Sequence, residues 1–336
     1  MPEGRKKRTK DVIIGTLVII VLIMSAVWAV SPTKPWEPTT EKVEVRCSYQ
    51  HGFYHGVQII MDHFNLIEKH CERPIDVTYT QLSGGSATNE AILAGHIDFA
   101  SMSLQPAVIG ISAGVKTKVL ASMGIAEREL WTWRDDINSI EDLKPGMKVS
   151  VLKPDSNVEV SLIKAYLDIE RTVSAAKGIC VYLEYADSLT AMELKEIDAT
   201  FVGAPYNAEC ADRGYHKITD TSTIWGKMPG SCYVATEKMY NEHPDIISAA
   251  FFAWCEACNW INENPKEASK IIGEAMLYNQ DDAWELWQQS GLEFNPTYGL
   301  ETSKEFSDTL YELGLIDNKL SEKQILFPVT RAMIGH

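Results

Sequence analysis

The chain has 336 residues, of which 45% are hydrophobic and 23% charged, enough to bury a sizeable core and to make roughly two domains. Thirty-one Lys and Arg stand against 46 Asp and Glu, a formal charge of −15 at pH 7, which excludes nucleic acid as a natural partner. Seven cysteines, at positions 47, 71, 180, 210, 232, 255 and 258, are odd in number and too scattered for a disulfide framework.

At the amino terminus, Arg5, Lys6, Lys7, Arg8 and Lys10 precede residues 12–30, a run of 19 residues without a charge and rich in Val, Ile and Leu. Such a run spans a bilayer, with its basic flank kept in the cytoplasm. It reads as an uncleaved anchor or a cleaved signal, and its length favours the anchor over the loose cleavage pattern at Val27-Trp28-Ala29. Residues 31–40, with three prolines, read as an extended tether, so the body beyond is expected outside the cytoplasm. Without residues 1–40 the chain keeps 25 basic and 43 acidic residues, a formal charge of −18. An anionic ligand of this body needs local donors, because the overall field opposes it.

From residue 43 onward the pattern is one of βα units. A strand is predicted over 43–49, followed by the loop Gln50-His51-Gly52-Phe53-Tyr54-His55-Gly56 and a helix over 57–69. His51 and His55 stand four apart, a metal-ligand spacing on a helix, but Gly52 and Gly56 argue against a helix there. A strand over 75–80 delivers the chain to Ser83, Gly84, Gly85 and Ser86, a small-residue turn before a helix over 87–94, with Ser86 as its N-cap. Free N–H groups and partial positive charge at this helix start suit an anion or a hydrogen-bond acceptor; an ordinary capped turn fits the same residues. A strand over 97–101 exits through Ser101, Met102 and Ser103 into a helix with Pro106 in its first turn. Strands follow over 116–126 and 129–133, the second leaving the first lobe.

A second α/β unit starts near Arg134. It has strands over 147–152, 179–185 and 199–202, and Ser156 with Glu159 has the spacing of a capping box. A helix is predicted over 188–194, and Gly203-Ala204-Pro205-Tyr206 opens another. The strand over 231–236 returns to the first lobe. Helices are predicted over 245–263, 265–277, 281–290 and 302–313, with Trp254, Trp260, Trp284 and Trp287 as packing residues and Cys255 and Cys258 as small residues on one helix face. This βαβ order implies parallel sheets with loops gathered at the carboxyl ends of the strands.

The turn at 83–86 together with residues 95–100 (Gly-His-Ile-Asp-Phe-Ala) resembles the first-lobe motif of the substrate-binding proteins of ABC transporters for nitrate, sulfonates, taurine and thiamine pyrimidine precursors. Residues 139–149, 196–206 and 243–268 match the same family in the same order, so that the resemblance covers 43–272. It implies an α/β, two-lobed periplasmic-binding-protein type II fold, with lobe 1 formed by 43–133 and 231–336 and lobe 2 by 134–230. The ligand of such proteins lies in a cleft between the lobes, which are joined by two crossing strands.

Carried over by motif, the ligand contacts are Tyr49, Gln50, His51, Ser83, Gly84, Gly85, Ser86, Ser101, Met102 and Ser103 from lobe 1, and Ser156, Asn157, Ala204 and Tyr206 from lobe 2. The implied function is capture of a small organic anion, such as a sulfonate or taurine-like compound, for an ABC permease and its ATPase subunits, by a monomer without cofactor or metal. Small residues at Gly203 and Ala204 leave more room than nitrate requires. The alternatives are a planar pyrimidine or flavin-type vitamin precursor as ligand, and a pyrimidine-synthase-like enzyme of the same fold. The cysteine-rich iron-binding motif of those synthases is not found in this sequence.

Overall fold

The computed structural model describes residues 42–335 apart from 155 and 205, so the basic tail, apolar run and tether of residues 1–40 lie outside the described residues. Alternating apolar residues shape β1 (Val43–Tyr49) and β2 (Ile75–Gln81), which pair in parallel from Val43 with Ile75 to Tyr49 with Gln81. The helical stretch between them breaks in two, Gly56–His63 and Leu66–His70, because Asn65 adopts a left-handed conformation with φ 50°. β3 (Phe99–Met102) and β4 (Thr117–Ser122) follow, then the short β5 (Gly124–Ile125).

The second sheet contains β6 (Arg128–Thr132), β7 (Val149–Ser150), β8 (Cys180–Val181), β9 (Ala199–Gly203) and β10 (His216–Asp220). The chain then returns as β11 (Cys232–Thr236), and β12 (Glu293–Phe294) pairs with β5. The sheet orders are β2-β1-β3-β11-β4 and β10-β6-β9-β7-β8. Both sheets are mixed. β11 runs antiparallel to β3 and β4, and β6 runs antiparallel to β9 and β10.

β6 corrects the expected order at the first crossing. Its residues 128–132, expected on the first lobe's side, are fixed in the second sheet by pairing along β9, and the chain leaves the first sheet at Ser122. The two crossings touch. Met123 N–H donates to Ser231 O (2.9 Å) and Gly230 N–H to Gly124 O (2.8 Å), while Asn295 N–H donates to Met123 O (2.8 Å). Gly124 has φ 127°, and a side chain there would strike the backbone of Glu293.

The lobes repeat one local design. In each, a helix ends on a left-handed residue, Gly95 or Lys195, and Ile-Asp follows, Ile97-Asp98 or Ile197-Asp198. Each Asp then accepts a backbone N–H from a neighbouring segment, Arg46 N for Asp98 (3.1 Å) and Lys148 N for Asp198 (2.8 Å). An arginine completes each: Arg46 for Asp98 (2.9 Å) and Arg134 for Asp198 (2.6 Å).

The helix Pro244–Glu263, with Pro244 at its first position, lays an apolar face on the first sheet. Trp254, fully buried, stacks on Tyr233 (4.5 Å between ring centroids, 9° between planes) and donates Nε1–H to Ser122 O (2.7 Å). Trp287 is buried too, and Trp260 and Trp284 pack against the same core. All seven cysteines are free thiols; Cys47, Cys210, Cys232 and Cys258 are buried and the others half-buried. No helix among the described residues is long and apolar enough to cross a membrane.

Candidate ligand-binding site

Because the parallel strands of both sheets end toward each other, their exit loops face across a cleft of about 550 Å³. The first lobe contributes the β1 exit with Gln50, His51 and Tyr54, the β2 exit from Gln81 to Ser86, and the β3 exit with Ser103 and Gln105. The second lobe contributes the β7 exit with Leu152, Lys153, Ser156 and Asn157, the β8 exit with Glu184 and Tyr185, and the β9 exit with Ala204 and Tyr206.

The turn at residues 83–86 lies on the cleft, with one correction. The helix is Gly85–Leu93 and its cap is Gly84, so Ser86 is the second helical residue and not the N-cap. Gly84 has φ 154°, a conformation that side chains resist, and accepts from Thr88 N–H (3.0 Å) and Thr88 Oγ1–H (2.9 Å). In the second lobe Ser156 does cap its helix, Asn157–Asp168, accepting from Glu159 N–H (3.3 Å). The buried Glu159 carboxylate accepts from the Tyr182 hydroxyl (2.7 Å).

Three expected contacts fall outside the lining: Tyr49, Ser101 and Met102. Tyr49 is the last residue of β1 and packs against the first-lobe core. Ser101 and Met102 belong to β3, all four residues of which are buried, so the cleft begins one residue later, at Ser103. Ser101 instead meets His55, with Nδ1 to Oγ 2.7 Å. His55 is buried, and burial followed by the charge of Arg128 pushes its pKa well below the usual histidine range, which keeps the ring neutral. Residues 53–55 of its loop form a 3-10 turn that runs into the helix starting at Gly56, and His51 lies outside both. No group of metal-ligating side chains occurs among the described residues.

Among the lining residues that the motifs did not indicate are Tyr54, Gln105, Lys153, Glu184, Tyr185 and, above all, Arg128. It opens β6, is 3% exposed and is the only buried Lys or Arg among the described residues. Its Nη1 donates to Ala126 O (2.6 Å) and Gly230 O (2.9 Å), one carbonyl beside each crossing segment. Its guanidinium carbon lies 4.2 Å from the centre of the Tyr54 ring, and the Tyr185 hydroxyl is a hydrogen-bonding neighbour. Carbonyls and an aromatic face stabilise a buried cation without cancelling its charge. No carboxylate pairs with it among the described residues, so the cleft holds a fixed positive charge in a largely desolvated place. The signal was period-two alternation: Arg128, Leu130 and Thr132 are buried while Glu129 and Trp131 are half-buried.

Two further groups shape the site. Tyr206 has the Tyr278 hydroxyl as a hydrogen-bonding neighbour from the other lobe, and burial raises the pKa of both. Lys153, from the second lobe, reaches Ser83 O (3.3 Å) in the first. Chemically this is an arrangement of charge, hydroxyls and rings suited to holding a solute. The one Ser–His contact among the described residues, Ser101 with His55, is buried outside the lining.

A model of the NMT1-like family matches residues 39–275. The chain belongs to the NMT1-like family. None of the curated proteins matches this chain. Its fold resembles the periplasmic aliphatic sulphonate binding protein SsuA of Escherichia coli, at 20% identity and TM-score 0.70, over 84% of this chain and 92% of that one. Also similar are the alkanesulfonate-binding protein SsuA of Xanthomonas axonopodis bound to MOPS (14%, TM-score 0.70, 87% and 99% covered) and the periplasmic nitrate-binding protein NrtA of Synechocystis PCC 6803 (14%, TM-score 0.69, 87% and 88% covered). These likenesses show that this NMT1-like chain has the α/β two-lobed periplasmic-binding-protein type II fold.

Proposed function

We propose that this protein is the extracytoplasmic solute-binding component of an ABC importer, capturing a small organic anion between its lobes. The observation that carries the reading is Arg128: a buried cation, facing the cleft and without a carboxylate partner among the described residues. Removing a cation from water costs several kcal/mol, and an incoming anion is the partner that recovers it. The cleft volume of about 550 Å³ favours an organic ligand over nitrate. MOPS, the compound bound to the Xanthomonas protein, is a sulfonate of that kind. On this reading the monomer is tethered through residues 12–30, passes its solute unchanged to a permease pair with ATPase subunits, and needs no cofactor.

A second reading, a planar pyrimidine or flavin precursor, is favoured by Tyr54, Tyr185 and Tyr206 around the cleft. A thermal-shift screen of sulfonates, carboxylates, pyrimidines and flavins separates the two. A true ligand at about 100 times its dissociation constant adds roughly 2.7 kcal/mol of stability. We expect the organic anions to stabilise the protein and to be recovered intact. Stabilisation by neutral rings alone overturns the anion assignment, and turnover of a captured ligand overturns the importer reading.

A further inference from the structure

Lys153 is placed in the cleft by a strained backbone. Among the described residues five non-glycine residues have positive φ: Asn65, Leu152, Glu170, Lys195 and Leu277. Four follow the carboxyl end of a helix, where left-handed residues are routine. Leu152 is the exception. It follows β7 with φ 63°, and both it and Lys153 line the cleft. Backbone strain held away from helix ends is a mark of ligand clamps. On the opposite wall Gly84 leaves the space that the ammonium occupies, since a methyl group there would collide with Lys153 Nζ.

The charge balance gives this placement a meaning. Lys153 makes no ion pair with a carboxylate among the described residues, and its one hydrogen bond there, to the neutral carbonyl of Ser83, is long. The ammonium lies against Gly84, the cap of the helix Gly85–Leu93, whose start adds partial positive charge. Glu184 is the one carboxylate of the cleft lining among the described residues; it is exposed and stands at the start of the helix Tyr185–Glu193, whose end charge it offsets. Among the described residues two cations on different parts of the wall therefore remain, one at the hinge and one bridging the lobes. A monoanion leaves one of them unmatched.

We infer, resting on the anion reading above, that the natural solute carries two anionic groups on one skeleton, the first held by Arg128 at the hinge and the second by Lys153 where the lobes meet. Closure of the lobes then brings the second group to Lys153 and replaces the bond to Ser83 O. A purely structural role, a lysine that only fastens the two lobes together, predicts no preference among ligands.

Calorimetric titration of the full-length protein with matched probes decides between them: butane-1-sulfonate against 4-sulfobutanoate, and benzoate against benzene-1,3-dicarboxylate. We expect at least one dianion to bind about tenfold more tightly than its monoanionic parent. In Lys153→Met that gap closes, because the dianion loses more affinity than its monoanionic parent. Arg128→Met weakens both members of a pair; Arg128→Lys, which keeps the charge, serves if the first variant does not fold. Absence of any dianion preference in the unmodified protein, including absence of binding by both dianions, overturns the inference, as does a preference that survives in Lys153→Met. Monoanion binding that depends on Arg128 but gains nothing in the dianions overturns this inference alone. Binding confined to neutral pyrimidines or flavins overturns the anion reading with it.

Discussion

The two lobes share a scaffold and differ in what they offer the cleft. Both turn from helix to strand on a left-handed residue, and both pin an Ile-Asp pair to a neighbouring segment with a backbone N–H and an arginine. Yet the first lobe brings no charged Lys, Arg, Asp or Glu to the lining among the described residues, and contributes the small-residue turn from Ser83 to Ser86. The second brings Arg128, Lys153, Glu184, Tyr185 and Tyr206. A repeated frame thus leaves function to unrepeated loops: the first wall has the small-residue turn beside Gln50, His51 and Tyr54, and the second supplies the charged side chains.

The comparison breaks most visibly in the core. Trp254→Ala removes a fully buried ring, its stack on Tyr233 and its bond to Ser122 O, and should cost about 4 kcal/mol in urea unfolding. Because its core cluster holds no second-lobe residue among the described residues, affinity measured on the folded protein should stay within about twofold; a larger loss would mean that the lobes are not independent in this respect.

The matched aspartates give the next effect. Asp98 is 6% exposed and accepts three hydrogen bonds from Arg46, from the backbone N–H, Nε and Nη2. Asp198 is less buried, its side chain 19% exposed. Asp98→Ala should therefore cost about 2 kcal/mol and Asp198→Ala about 1 kcal/mol, and equal losses in thermal unfolding would contradict the difference in burial.

One glycine from each lobe sharpens the contrast further. Gly84→Ala meets both an unfavourable φ and the Lys153 ammonium, and should cost about 1.5 kcal/mol. A methyl group at Gly203 would lie 3.7 Å from the Arg128 side chain, ordinary contact, so Gly203→Ala should change stability by less than about 0.5 kcal/mol. Matching destabilisation of the two by denaturant titration would remove the distinction.

The last effect is an acid one, at Asp220 in the second lobe. Burial alone would raise its pKa, but hydrogen bonds from Thr223, Lys217 and Ser222 outweigh burial and bring it down to about 2. A depressed carboxylate stabilises the fold above its unfolded pKa, near 4, and that stability is lost as pH falls from about 4 through about 2. With solvent screening the contribution is about 1 kcal/mol. Asp220→Asn should flatten the acid limb of the stability curve by that amount. An unchanged limb would show that the carboxylate's bonds count for nothing in the folded state.

How much of this could be read in the sequence follows from the distance over which each feature is determined. Strand and helix order and the small-residue turn at 83–86 were legible because periodicity and turn chemistry act within a few residues. The strand expected over 179–185 was not, since only Cys180 and Val181 pair and Tyr185 already begins a helix. Its apolar alternation continues past the point where the neighbouring strand β7 ends. Ser86 looked like a cap because its side chain suits one; Gly84 took that position through a backbone conformation that serine does not favour. Arg128 was hidden between Glu127 and Glu129, as if in a solvated charged run. Its burial depends on carbonyls at Ala126 and Gly230 that only the folded crossings bring together. Lys153 depends in the same way on a turn from the other lobe.

The seven free thiols have a practical consequence. Burial pushes the pKa of every one of them upward, to about 12 for Cys180, Cys210 and Cys255 and well up for Cys47 and Cys258, so that almost no thiolate exists at neutral pH. Alkylating dyes react through the thiolate, so the native cysteines form a quiet background. A single new cysteine on each lobe's rim would take a donor and acceptor dye pair without removing any of the seven, and lobe movement could then be followed by energy transfer in the otherwise unaltered protein.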